Sequence, residues 1–296
     1  MLFLSCHKIC YILIKGGKTF ANNLLESLIT QVNLNSLIKG GNIMTKLGIQ
    51  ISSVRKYLQT PEDVLESFRK VSKIGYKTIQ IQWISPSVPV SFIDDALKET
   101  QLDCIGTQDY YDEVIGNLDE IIKMNNLWDG KYICVSGIPE RYHSYEGCMS
   151  FTAELDQVTK RLASSGKILT FHPRCQDFMQ FNGHNSVELL LENTSNDFQI
   201  VLDVYHIINA GLNPIDWVHK FKGRMDIIHF KDKIITSEGK EVLVPVGQGS
   251  TSWKDIFRAC EQTGIKYAFA EQESWLKDPF ECLEDSYKFI TSHDIK

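Results

Sequence analysis

From residue 44 onward the chain alternates, eight times over, between a short apolar run of strand character and a longer stretch of helical spacing. No other feature constrains the fold as strongly, because neighbouring parallel strands need long crossover connections and helices supply them. The strand runs are Leu47–Ile51, Thr78–Ile81, Cys104–Thr107, Tyr132–Val135, Ile168–Phe171, Ile200–Leu202, Ile227–Phe230 and Tyr267–Ala270. The helical stretches include Phe151–Ser164, Ser186–Glu192, Pro214–Phe221 and Trp253–Thr263. The first helix is the clearest: Thr60 is its N-cap, Pro61 occupies N1, Glu62 and Asp63 lie at the positive end of the dipole, and Gly75 ends it. Eight strand–helix units in roughly 250 residues match the usual size of a (β/α)₈ TIM barrel. An open doubly wound sheet is the alternative, but no glycine-rich dinucleotide loop follows an early strand.

Residues 1–43 show no such alternation. The apolar run in Met1–Ile14 is broken by His7 and Lys8, and it is too short to span a bilayer. The string Lys39-Gly40-Gly41-Asn42-Ile43-Met44 reads back to a purine-rich, ribosome-binding-like message just ahead of a methionine codon. Residues 1–43 are therefore expected to be an extension outside the native protein, with the barrel at 44–296. Eight cysteines without a CxxC pair point to reduced thiols and a cytoplasmic protein. A net charge of −6 argues against nucleic acid as a partner.

In this barrel class the chemistry sits at the C-terminal ends of the strands. Those ends carry Gln50, Gln82, Gln108, His172, Asp203 with His206, His229 with Lys231 and Asp232, and Glu271 with Glu273. Four successive strand ends thus present His, Asp, His and Glu, a mixed nitrogen–oxygen set that suits Mn²⁺, Zn²⁺, Co²⁺ or Fe²⁺ better than Ca²⁺. In the loop after the fourth strand, Glu140 and His143 fall on the same rim and are either substrate contacts or solvated loop residues. The three glutamines are likewise either substrate contacts or polar caps on the rim.

Three strings carry a resemblance: Leu202-Asp203-Val204-Tyr205-His206, Ile228-His229-Phe230-Lys231-Asp232 and Phe269-Ala270-Glu271-Gln272-Glu273. With Ile49-Gln50-Ile51-Ser52-Ser53-Val54-Arg55, Phe171-His172-Pro173-Arg174, Ala210-Gly211-Leu212-Asn213-Pro214 and Val246-Gly247-Gln248-Gly249, the chain resembles the sugar phosphate isomerase/epimerase family of xylose isomerase-like TIM barrels. The resemblance covers about residues 46–292 and implies a divalent metal ion, Mn, Zn or Co, held by Asp203, His229 and Glu271. Many relatives place a glutamate at the end of strand five. Here His172 is the expected fourth ligand, with Asp177 in reserve.

The resemblance also implies isomerisation or epimerisation of a small sugar or keto-polyol through an enediolate. Glu271 would be ligand and base, with His206 and Glu273 as alternative bases. Lys231 would steady the enolate and Asp232 would orient it. Arg174 would hold a carboxylate or phosphate as a fork, and Gln50, Gln82, Gln108 and His143 would line the substrate. Elimination by a dehydratase or lyase starts from the same enolate and stays open. A metal-free binding barrel is kept open by Pro173 and Arg174, which depart from the family pattern. A DNA-repair endonuclease of this fold is disfavoured by the net charge and by a set of only about four ligands.

Overall fold

The computed structural model describes residues 45–181, 183–293 and 295, so the expected extension at 1–43 lies outside the described residues. The strands are β1 (Lys46–Gln50), β2 (Thr78–Ile81), β3 (Asp103–Tyr110), β4 (Tyr132–Ser136), β5 (Ile168–His172), β6 (Gln180–Phe181), β7 (His184–Asn185), β8 (Gln199–Asp203), β9 (Ile227–Phe230), β10 (Asp232–Ile235), β11 (Glu241–Val244) and β12 (Tyr267–Ala270). Eight of them close a barrel in the order β1-β12-β9-β8-β5-β4-β3-β2. β1 pairs in parallel with both β2 and β12, which completes the ring.

All eight expected strands are therefore barrel strands. Two small antiparallel hairpins, β6–β7 and β10–β11, were not expected. The second turns at Thr236–Lys240, where Thr236 N–H donates to Lys240 O. The first helix, α1 (Pro61–Ile74), has the anticipated cap. Asp63 N–H donates to Thr60 Oγ1 at 3.1 Å and Thr60 N–H returns to Asp63 Oδ2 at 3.2 Å. Gly75 ends it at φ +129°, where a Cβ would also lie 2.5 Å from the Tyr287 ring. The helix anticipated from Phe151 instead begins at Tyr145, because Ser144 accepts from Gly147 N–H and caps an earlier turn.

The two-residue period of each strand divides the core. Ile105, Tyr132, Cys134, Val201, Ile227 and Phe269 form one buried cluster, which fills the barrel. Val135, Phe171, Leu202, Phe230 and Ala270, of opposite parity, belong to the larger cluster shared with helical residues such as Phe151, Trp253 and Phe257. Carried to the strand ends, the same parity turns Ser136, Asp203, His229, Lys231, Glu271 and Glu273 inward, above the plug. Among the described residues, no helix is long and apolar enough to cross a membrane, and the six cysteines are free thiols.

Candidate metal centre and its pocket

Four buried residues from four adjacent barrel strands meet above the plug. His172, Asp203, His229 and Glu271 each offer a ligand atom, and these atoms all lie within 4.8 Å of one another. Asp203 is placed by its own helix: it caps Val204–Asn209, Oδ1 accepting from His206 N–H at 3.2 Å, which leaves Oδ2 facing the barrel axis. His172 Nε2 stands 3.6 Å from that oxygen, and its Nδ1 is 3.4 Å from Ser136 Oγ. His229 Nδ1 faces Glu271 Oε2 at 2.9 Å.

Buried polar atoms without a hydrogen-bond partner gather at this spot: His172 Nε2, Asp203 Oδ2, Gln108 Oε1, Gln80 Nε2 and Arg174 Nε. A buried orphan costs about 1–3 kcal/mol, so a cluster of them marks a place where a ligand completes the bonding. Two of these orphans, the His172 imidazole nitrogen and the Asp203 carboxylate oxygen, stand 3.6 Å apart. That donor set fits a first-row divalent ion.

The charges are arranged around Lys231, which is buried. Its Nζ is 2.5 Å from Glu273 Oε2 and 3.8 Å from Asp203 Oδ2, and it lies 5.0 Å from the centre of the Tyr205 ring. Burial works to lower Lys231, but Glu271, Asp203 and Glu273 outweigh it and hold the ammonium charged. Burial works to raise Glu271, but Lys231 and then His229 bring it down to about 2. Burial likewise opposes ionisation of Asp203, while His206 and Lys231 favour it, and the carboxyl stays well below the usual range. Of those two, Lys231 carries the charge near neutrality, since burial brings His206 down to about 4. Glu273 moves the other way, raised by burial and by Glu271. Neighbouring carboxyls thus have their proton affinities pushed apart, as an acid–base pair requires.

His206 carries a pH prediction. Its folded value lies below the ordinary 6.5, so the unfolded chain takes up a proton that the folded chain refuses. This contribution to stability is complete above pH 6.5 and is lost as pH falls toward 4. Between pH 6.5 and about 5, chelator-treated wild type is expected to lose about 2 kcal/mol more than His206→Gln. Urea unfolding at the two pH values measures the difference, and parallel losses in both proteins would sink the assignment.

The remaining expected residues separate into two groups. Gln82, Gln108, Arg174, His206, Lys231, Glu271 and Glu273 line the pocket together with His172. Gln50, Asp232 and His143 do not. Gln50 is buried behind the pocket and donates to Gln80 Oε1 at 3.2 Å. His143 is exposed, with Nε2 2.9 Å from Ile138 O. The reserve ligand Asp177 is also committed elsewhere, accepting from Ile138 N–H at 3.1 Å and Arg174 N–H at 2.7 Å.

Asp232 has the parity of Phe230, not of His229 and Lys231, and faces away from the barrel axis. Its Oδ2 accepts from Gly247 N–H, Gly249 N–H and Trp253 Nε1–H at 3.0, 3.0 and 2.7 Å. Its Oδ1 accepts from Lys233 N–H at 2.9 Å and Thr251 Oγ1–H at 2.8 Å. A Cβ at Gly249 would lie 2.0 Å from Oδ1, so only glycine lets the loop close on the carboxylate.

Three pocket residues, and Gln80 against His229, escaped the sequence reading. Ser136 was available as the end of the fourth strand. Tyr110 ends a third strand that runs three residues past its expected limit. Trp83 packs beside Tyr110, ring centres 6.0 Å apart, at a φ of +58° that no sequence signal announces. Gln80 sits inside β2, buried, with Oε1 2.7 Å from His229 Nε2. Its parity with Gln82 was the available clue.

A family model for the xylose isomerase-like TIM barrel matches residues 68–290, and the chain belongs to that family. Comparison with curated protein sequences finds no match. Among solved structures, a sugar phosphate isomerase/epimerase from Parabacteroides distasonis superposes with a TM-score of 0.70 at 18% identity, over 86% of this chain and 96% of that one. A D-allulose 3-epimerase from a Methylomonas species, in complex with D-allulose, gives 0.63 at 13% identity, over 84% and 97%. A probable 3-DHS dehydratase of Bacillus anthracis, involved in petrobactin synthesis, gives 0.63 at 15% identity, over 83% and 99%. At these identities the likeness is one of fold.

Proposed function

We propose that the protein is a metal-dependent isomerase or epimerase of a small keto-sugar or keto-polyol, working through an enediolate of the substrate. The convergence of His172, Asp203, His229 and Glu271, with His172 Nε2 and Asp203 Oδ2 unpartnered, carries this reading. A divalent ion held there, Mn²⁺, Zn²⁺ or Co²⁺, supplies Lewis acidity at a carbonyl oxygen. The chain's own groups do the rest. The Lys231 ammonium faces the same space and stabilises negative charge developing on oxygen. Glu271, kept ionised, accepts the proton from the carbon beside the carbonyl, and Glu273, with its raised proton affinity, returns one. The Arg174 fork and the amides of Gln82 and Gln108 hold oxygens of the substrate, beside the faces of Trp83 and Tyr110. The free thiols fit a reducing compartment, and the cytoplasm is the proposed location.

One observation favours elimination as the second reading. His172 stands where the resembled family often has a glutamate, so the two inward carboxylates outside the Asp203 cap, Glu271 and Glu273, come from a single strand end. Epimerisation that takes a proton from one face of a carbon and returns it to the other is best served by bases on opposite walls. A dehydratase or lyase needs one base and one acid, and an adjacent pair suffices.

Metal is expected to stabilise the fold. At free ion 100 times the dissociation constant the gain is about 2.7 kcal/mol, removed by chelator. Thermal unfolding with Mn²⁺, Zn²⁺ and Co²⁺, with elemental analysis, checks this. Unchanged midpoints and no bound metal would end the reading. A screen of keto-sugars and inosose-like polyols with Mn²⁺, following product by NMR, distinguishes isomer from dehydrated product.

A further inference from the structure

We infer that Gln80 is a positioning residue for the metal centre, setting which nitrogen of His229 is free to bind metal. The inference rests on the metal reading above and concerns a residue outside the four ligands. His229 Nε2 lies 2.7 Å from Gln80 Oε1, while Nδ1, on the other edge of the ring, lies 2.9 Å from Oε2 of Glu271, another of the four converging residues. An amide oxygen only accepts, so Nε2 must carry the proton of that bond. With the Nε2 proton held by that bond, Nδ1, which shares its proton with Glu271 Oε2, is the nitrogen that gives the proton up when a metal ion binds.

The orientation of the Gln80 amide is itself dictated. Gln50 and Gln80 are partners in the β1–β2 register, and Gln50 Nε2–H donates to the same Gln80 Oε1 at 3.2 Å. Gln50 in turn accepts from the backbone N–H of Ser52 through Oε1 at 3.5 Å, the longest link of the series. A backbone N–H can only donate. It therefore fixes Gln50 with its oxygen toward Ser52 and its NH₂ toward Gln80. Reversing Gln80 would set NH₂ against NH₂. The direction of every bond follows from one end: Ser52 to Gln50, Gln50 to Gln80, and His229 to Gln80. Gln50 and Gln80 are both buried, so water does not compete at this series.

The test compares Gln80→Met, which keeps the volume and loses the acceptor, with Gln80→Glu, which keeps an acceptor oxygen. Zn²⁺ affinity is measured by chelator competition. The protonation pattern of His229 is read by long-range ¹⁵N–¹H NMR on the Zn²⁺-loaded protein. Gln80→Met is expected to bind Zn²⁺ about 10–100-fold more weakly and to lose the single Nε2–H pattern, with Gln80→Glu close to wild type in both. Equal affinity and an unchanged His229 pattern in Gln80→Met overturn the inference. So does an equal loss in Gln80→Glu, which shows that packing and not the acceptor matters. If Gln80→Met does not fold, Gln80→Glu decides alone: retained affinity and pattern support the inference, and loss of either overturns it. Wild type that takes up no Zn²⁺ overturns the metal reading together with this inference, whereas wild-type uptake with an unaffected Gln80→Met overturns this inference alone.

Discussion

Lys231→Met is expected to lower turnover by about 10²–10³-fold while leaving metal uptake near the wild-type level, because a charge aimed at a developing oxyanion is typically worth that much. The ammonium sits in the pocket, 2.5 Å from Glu273, and is not among the four converging ligand groups. Glu271→Gln is expected to behave differently. It removes a negative charge from the ligand set, so metal affinity and turnover should fall together. Metal titration and initial rates on both variants separate the two roles. Equal metal affinity and equal activity in both would place neither residue in a working site and would favour a binding barrel over an enzyme.

Asp232→Ala is expected to cost about 3–4 kcal/mol of stability, since it strips the common acceptor from three backbone N–H groups, the Thr251 hydroxyl and the Trp253 indole. Urea unfolding measures it, with Thr251→Val as a single-bond reference at about 1 kcal/mol. The proposal that this carboxylate clamps the 247–253 loop rather than touching substrate fails if Asp232→Ala is as stable as wild type and raises KM instead.

The barrel was legible because its signal is repeated: eight apolar runs separated by helical stretches leave few other ways to bury both faces of a sheet. His172, Asp203, His229 and Glu271 were legible because strand ends have one meaning in this architecture, and the structure gathers those four. Asp232 illustrates the limit. It follows His229 and Lys231 in one short string, so proximity along the chain suggested shared work, but the two-residue period sends it outward. Gln80 is the converse: an amide inside an apolar strand looks like an interruption until the barrel closes and brings His229 across to it. Trp83 and Tyr110 depend on loop conformation and on where β3 stops, neither of which apolar periodicity encodes.

The ring order has one more consequence. The four strands that bring His172, Asp203, His229 and Glu271 together, β5, β8, β9 and β12, are contiguous, and the other arc, β1 to β4, presents Gln50, Gln80, Gln82, Gln108 and Ser136 to the interior. One arc therefore holds the ionic groups and the other is lined by neutral side chains with both donors and acceptors. On the proposed function, exchanging a neutral residue at the mouth, such as Gln82 or Gln108, is expected to alter which hydroxyl pattern is accepted without disturbing the ionic arc. On that reading, the mouth glutamines of one arc can be exchanged to retune selectivity while the ionic arc, and the Gln80 contact with His229, are inherited intact.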